Sequence, residues 1–267
     1  MNKEIIYDRE MKIQRCYSTE YQGMKVAYID HMGSDLSVVN SAYASFGKME
    51  HKYNPAKHDR LIQYLSRGMG EADFEKLTAN LAHETTDVKD VAKALWQFRN
   101  TPTHWSPFAH TCITLQCTVP IAIHAQLVKH TVGFNINTVS RRYVSTTPEL
   151  FIPEFRSKPT GNIKQGSGDV HEQAHYWQVW YKRQAEATIR TYADMIDAGI
   201  APEQARFILP QGVMTEFVWT GNVASFARMF NQRTDSHSQK EIQDLATMVG
   251  EIIEPLYPVS WNALTGN

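Results

Sequence analysis

The chain has 267 residues, 42% of them hydrophobic and 21% charged, which is ample for a packed core of its own. A formal net charge of −1 excludes a global basic field of the kind that draws nucleic acid or a membrane surface, so an anionic ligand must be met by a local cluster of Lys and Arg. No apolar run approaches the ~20 residues needed to span a bilayer, and Met1 to Cys16 lacks a signal-like apolar segment. Cys16, Cys112 and Cys117 have neither metal nor redox spacing, so the expectation is a cytoplasmic, reducing setting and no metal.

In chain order, Gly23 to Gly33 reads as a strand closed by a turn, followed by a helix over Ser37 to Phe46. Asn54 to Asn100 is helix-rich, with Leu61, Leu65, Val88, Val91, Leu95 and Phe98 near helical period. Thr111 to Val119 alternates, with Ile113, Leu115, Cys117 and Val119 on one face, and predicts a half-buried strand ended by Pro120, where a helix begins. Gln126 to Tyr143 then reads as a helix giving way to a polar loop, and Pro153 to Gly168 as a second loop. His171 to Ala198 is one long helix stopped by Gly199, its aromatics Trp177, Trp180 and Tyr181 belonging to the core or to a subunit interface. A short helix opens at Pro202, Phe217 to Trp219 is a short apolar run, and helices follow over Val223 to Gln232 and Ser236 to Ile253. The organisation is one compact α+β domain with a helical insertion.

Four segments carry chemistry. Gln126 to Tyr143 gathers Lys129, His130, Arg141 and Arg142 among amides and hydroxyls, a composition suited either to a phosphate or to a solvated basic loop. Thr103 to His110 holds His104 and His110, which suit acid–base or structural work better than metal binding, since no Cys or acid cluster stands beside them. In Pro202 to Pro210, Arg206 follows Glu203 by three residues, the spacing of an ordinary surface ion pair as well as of a ligand site. In Gly221 to Gln239, Asn222, Arg228, Arg233 and His237 are polar within an apolar helical pattern and need partners.

Taken in this order, the segments resemble the flavin-dependent thymidylate synthases from about Met24 to Leu264, with an insertion at about Asn54 to Thr86. The family's Arg-His-Arg, seven residues, then Ser is similar to Lys129-His130-Thr131, eight residues, then Ser140-Arg141-Arg142-Tyr143. His104 to His110 (HWSPFAH), Asp35 to Lys48, EQARFILP ending at Pro210 and the run from Asn222 to Ile242 resemble its other motifs. The resemblance implies an α+β fold, an antiparallel sheet packed with helices, assembled as a homotetramer with sites between subunits. It implies FAD, with NADPH and methylenetetrahydrofolate as co-substrates, and conversion of dUMP to dTMP.

Carried over by position, Gln126, Lys129, Ser140, Arg141, Arg142, Arg206 and Arg233 would bind dUMP, with Arg233 at the uracil as the catalytic group. Ser106, Lys129, His130, Thr131, Thr138, Asn222 and Arg228 would line the flavin, and His104 and His237 would organise the flavin and substrate edges. The chain departs from the family at Lys129 and Thr131 for Arg, Thr138 and Ala109 for Glu, Ala224 for Arg and Arg228 for Asn. Most departures fall on the flavin side. Two further readings therefore stand beside the first: C5 hydroxymethylation or use of another pyrimidine nucleotide, and a non-catalytic nucleotide-binding tetramer.

Overall fold

The computed structural model describes residues 1–8, 13–82, 87–159 and 166–266. Its centre is a six-stranded antiparallel sheet in the order β1-β2-β3-β4-β6-β5. The strands are β1 (Asn2–Asp8), β2 (Ile13–Tyr21), β3 (Met24–Met32), β4 (Cys112–Pro120), β5 (Phe134–Thr138) and β6 (Met214–Gly221). The alternation seen in the sequence is the mould of β4: Ile113, Leu115, Cys117 and Val119 are all fully buried, while the intervening residues are half-buried. Facing them are Met24 and Val26 of β3 and Phe217 and Trp219 of β6, all buried.

Helices α9 (Val223–Arg233), α10 (Lys240–Ile253) and α11 (Pro258–Thr265) pack together, and α10 lies on β2 and β3. The buried face of α10 runs Ile242, Leu245, Val249, Ile252 and Ile253, a helical period matched to one covered face. The helix α1 (Asp35–Ala44) is tied to α11 by a buried carboxylate. Asp35 accepts from the backbone N–H groups of Val259 (3.0 Å) and Ser260 (2.9 Å), which have no partner within the first turn of α11.

The helix-rich segment resolves into α2 (Pro55–Arg67), α3 (Glu71–Ala82) and α4 (Val88–Asn100). Of the expected insertion, residues 83–86 lie outside the described residues, as do residues 160–165 of the Pro153 to Gly168 loop. Ile62 and Leu65 of α2 join the core. On α4, by contrast, Val88, Leu95 and Phe98 stay exposed although their period is helical: α3 packs on this helix, with Phe74 6.0 Å from Phe98 between ring centroids, without burying them.

The long helix α7 (Ala174–Asp197) starts three residues later than its sequence pattern, and Gly199 ends it in the left-handed region. Its Tyr176, Trp177 and Trp180 are exposed in the single chain rather than part of its core. The remaining short helices are α5 (Ser106–Ala109), α6 (Ile121–Leu127) and α8 (Pro202–Ala205), the last continued by a 3₁₀ turn over Arg206–Ile208.

Three features correct the sequence reading. Gln126 to Tyr143 is not all loop, because Phe134–Thr138 forms β5 on the edge of the sheet. Two of its five residues are Asn, which disfavours a strand locally. Pairing to β6, about eighty residues later in the chain, overrides that preference. The short apolar run Phe217 to Trp219 is the middle of an eight-residue strand. The last helix pair begins at Val223 and Lys240 rather than at Val223 and Ser236, and α11 follows it.

Candidate functional site

Two polar clusters occupy the two ends of β5. At the Phe134 end, α6 stops and the chain turns through residues 128–133 before entering the strand. His130 sits in that turn, its ring buried and approaching Phe134 edge-on at 6.5 Å. Its Nε2 accepts from Arg233 Nε at 2.8 Å, across 103 positions of sequence. Accepting through Nε2 requires the proton on Nδ1, so the ring is the neutral tautomer. Burial first, and then the neighbouring Arg233 and Arg228 charges, push its pKa down to about 4. Arg233 also donates from Nη2 to the Gln126 carbonyl at 3.3 Å. The guanidinium is thus fixed on two sides while the group stays half-buried at the end of α9.

The turn is clamped onto the start of α9. The Asn222 side chain caps the helix by accepting from Ser225 N at 2.9 Å. The Ser225 hydroxyl lies 3.0 Å from both Val132 O and Asn222 Oδ1. Arg228 Nη2 donates to the same Val132 carbonyl at 2.7 Å. This contact is so close that only glycine fits beside it: Gly133 has φ +75°, and a Cβ there would stand 2.0 Å from Ser225 Oγ. Lys129, Thr131 and Arg228 remain exposed around the turn. Lys129 and Thr131 on the turn, with Arg228 of α9 beside it, are a donor set that fits a phosphate-bearing cofactor.

At the Thr138 end lies an open cleft of about 480 Å³. It is lined by His124, Thr138, Ser140, Arg141, Arg206 and Phe207, among others, and by no carboxylate. The chemistry is that of an anion site with hydroxyl and apolar walls. Arg206 Nε donates to the Glu203 backbone carbonyl at 3.2 Å, so the expected side-chain ion pair is replaced by a backbone contact. Arg141 donates to the Thr146 carbonyl and lines the cleft. Arg142 instead lies over the Tyr143 ring, 5.1 Å from its centroid, and both its backbone N–H and its Nε approach Ser140 Oγ. The cleft therefore takes Arg141, and Arg142 stands outside its lining.

The other candidates are dispersed. Gln126 turns its side chain to Gln239 at 2.6 Å. His237 is exposed and paired with Asp235 at 2.9 Å. Ser106 opens α5, which packs on α9. His104 stacks on Tyr64 of α2, centroids 5.5 Å apart and planes at 23°, and its backbone N–H donates to Leu65 O at 2.8 Å. The end of α2 meets this segment so closely that a Cβ on Gly68, at φ +73°, would be 2.0 Å from Pro102 O. The inserted helix thus braces the HWSPFAH segment. Tyr64, Phe207 and His124 were not among the sequence candidates. His124 carries no motif of its own, and only the folding of β5 brings it beside Thr138, with His124 Nε2 and Thr138 Oγ1 2.9 Å apart.

A family model described as thymidylate synthase complementing protein matches residues 27–259. The chain belongs to that family. It is 30% identical over 244 residues to the flavin-dependent thymidylate synthase of Thermotoga neapolitana, covering 89% of each chain. It is 29% identical over 240 residues to that of Kosmotoga olearia, covering 89% of this chain and 88% of the relative. Among solved structures it is similar to the UMP/dUMP methylase PolB of Streptomyces cacaoi bound with 5-Br dUMP, with TM-score 0.71, 23% identity and coverage of 91% and 95%. That likeness shows the α+β fold with its antiparallel sheet. Among the described residues, no helix is long and apolar enough to cross a membrane.

Proposed function

We propose that this family member is a flavin-dependent thymidylate synthase that converts dUMP to dTMP, taking the one-carbon unit from methylenetetrahydrofolate and reducing power from NADPH through FAD. The observation that carries the reading is Arg233, a cation fixed by a neutral imidazole and a backbone carbonyl rather than neutralised by an acid. Set against a uracil ring, it favours the form ionised at N3, because an adjacent positive charge stabilises the anion. Ionisation raises electron density at C5, the carbon that must attack, so no cysteine nucleophile is needed. None of the three cysteines lines the cleft, and Cys117 is fully buried with its thiol pushed up by burial.

In this proposal Ser140, Arg141 and Arg206 hold the nucleotide phosphate, joined by Arg142, Lys129 and Gln126 at its margins. Arg141 and Arg206 supply charge, and Ser140 supplies a positioning hydroxyl. Lys129, Arg228, Thr131 and His130, with Ser106 and Asn222, form the flavin side. Lys129 and Arg228 would hold the cofactor's phosphates. When bound, the flavin supplies the hydride that completes the methyl group. His104 and His237 organise the edges. We also propose a homotetramer with sites between subunits, supported by the apolar face of α7, where Tyr176, Trp177, Val179 and Trp180 stand exposed among the described residues. The cytoplasm is its proposed setting.

The test is dTMP formation from dUMP, methylenetetrahydrofolate, FAD and NADPH, with a flavin absorbance band on the purified protein. Arg233→Ala should abolish turnover with the fold intact, which would also exclude the non-catalytic reading. A wild-type protein that shows neither flavin binding nor dTMP would overturn the proposal. The neutral Thr138 in the cleft favours a second reading, C5 hydroxymethylation or another pyrimidine nucleotide. Mass spectrometry of products from dUMP and dCMP separates the two.

A further inference from the structure

The cleft beside β5 holds Thr138, which the resemblance set at the flavin and which here lines the proposed nucleotide cleft instead, paired with His124, a residue to which no role has been given. His124, on the last turn of α6, sets its Nε2 2.9 Å from Thr138 Oγ1. Its ring is held edge-on by Phe217, centroids 4.9 Å apart at 65°, and Phe217 is the β6 partner of Thr138 in the strand register. Three residues from three elements therefore fix one hydroxyl. Both His124 and Thr138 line the cleft that holds Ser140, Arg141 and Arg206.

The lining separates by chemistry. The two guanidinium groups are suited to the phosphate. Ile121, Phe207 and Leu209 offer apolar wall. The His124–Thr138 pair is neither charged nor apolar. Burial lowers the pKa of His124, so the ring is neutral near pH 7. A neutral imidazole can accept from Thr138, leaving the oxygen's lone pairs toward the cleft, or donate to it, leaving the O–H free. Such a hydroxyl can meet a ligand hydroxyl in either sense, which an acceptor-only carboxylate cannot. On a nucleoside monophosphate, the uncharged hydroxyl nearest the phosphate belongs to the sugar.

We propose that His124 is a positioning residue that holds the Thr138 hydroxyl against the sugar hydroxyl of the bound nucleotide. This rests on the reading of the cleft as the nucleotide site. Thr138 makes the contact, and His124 fixes its rotamer and shares its proton.

The test removes the hydroxyl from each side in turn. Calorimetry on the full-length protein compares dUMP with its 2′,3′-dideoxy analogue for wild type, Thr138→Val, His124→Phe and His124→Gln. The wild type should prefer dUMP by about tenfold, the usual worth of one well-placed hydrogen bond. Thr138→Val is isosteric and suits a strand, so it should fold, with circular dichroism as the check. It should bind both ligands equally, at the wild-type affinity for the dideoxy form. His124→Phe should lose the preference as well, and His124→Gln, whose amide can still meet the hydroxyl, should regain most of it. Equal binding of both ligands by the wild type overturns the inference and leaves the proposed function standing. A preference that survives in Thr138→Val does the same. Loss in Thr138→Val with full retention in His124→Phe overturns the role of His124. Failure of the wild type to bind dUMP at all overturns both readings together.

Discussion

Replacing His130 by Phe removes the acceptor from Arg233 Nε while keeping a ring of similar size against Phe134. What is lost is a 2.8 Å hydrogen bond to a charged donor. Such bonds contribute about 1.5–3 kcal/mol, more than neutral ones, because the donor is charged, and the half-buried position of Arg233 places the loss toward the lower end. The Gln126 carbonyl bond at 3.3 Å survives and acts as a hinge about which the guanidinium can swing. If Arg233 stabilises charge that develops on the uracil, the same energy disappears from the transition state. At about 1.4 kcal/mol per tenfold, kcat/KM should fall by about 10- to 100-fold, chiefly in kcat. His130→Gln can place an amide oxygen near the vacated Nε2 and should recover most of that loss. Steady-state dTMP formation under saturating flavin gives the rates, and a fluorescence titration gives the flavin affinity separately. An unchanged flavin Kd beside a depressed kcat isolates the effect on Arg233. A His130→Phe enzyme within twofold of wild type would refute the reasoning, as would a Gln variant no better than Phe.

The same imidazole predicts a pH dependence of stability. Its pKa is about 4 in the folded chain against an ordinary value near 6.5, so between these pH values the unfolded chain binds more protons. Its contribution is complete above about pH 6.5 and is lost as pH falls toward 4. Urea melts should show wild type losing on the order of 2 kcal/mol more than His130→Gln across that window. Asp35→Ala strands the Val259 and Ser260 N–H groups that α1 now satisfies and should cost about 2–4 kcal/mol, read as a lowered Tm. Gly133→Ala forces a Cβ to 2.0 Å from Ser225 Oγ at positive φ, and thermal melts should show a loss of at least about 1 kcal/mol, partly relieved by Ser225→Ala. Tyr64→Ala removes the stack on His104, worth about 0.5–1.5 kcal/mol, and Tyr64→Phe keeps it, so in flavin titrations the Ala variant alone should bind several-fold more weakly.

What could be read ahead of the structure follows from how local each signal is. Ile113, Leu115, Cys117 and Val119 announce a strand because the core covers every second residue, and the pattern is written in the strand itself. Phe134–Thr138 does alternate, with Asn135 and Asn137 outward, but the run is only five residues long, Asn is a poor strand former, and its pairing energy comes from β6. The motif order brought Lys129, His130, Arg206 and Arg233 forward as candidates, but spacing carries no directions for side chains. That His130 faces Arg233, that Arg141 rather than Arg142 enters the cleft, and that Asn222 is a helix cap are facts of packing. On α4 and α7 the period marks an apolar face correctly, yet period cannot name what covers it. Those faces are exposed in the single chain.

Placing the two clusters on an edge strand has a mechanical consequence. β5 pairs with β6 alone, so the turns at both of its ends are free to carry ligand-facing groups where an inner strand would be hemmed in by a neighbour. The strand is short, and its register must be held by side chains. Phe134 does this at one end, packed 4.7 Å from Trp219 and 4.9 Å from Phe226. Thr138 does it at the other, paired with Phe217 and bonded to His124. A slip of one residue would turn Phe134, Ile136 and Thr138 outward and Asn135 and Asn137 inward. It would cost the aromatic contacts and part His124 from its hydroxyl. The distance from the Arg233 cluster to the Arg206 cleft is therefore set by four peptide steps, roughly 13 Å at the usual strand rise. Any substitution that loosens Phe134 should disturb both clusters at once, although Phe134 belongs to neither.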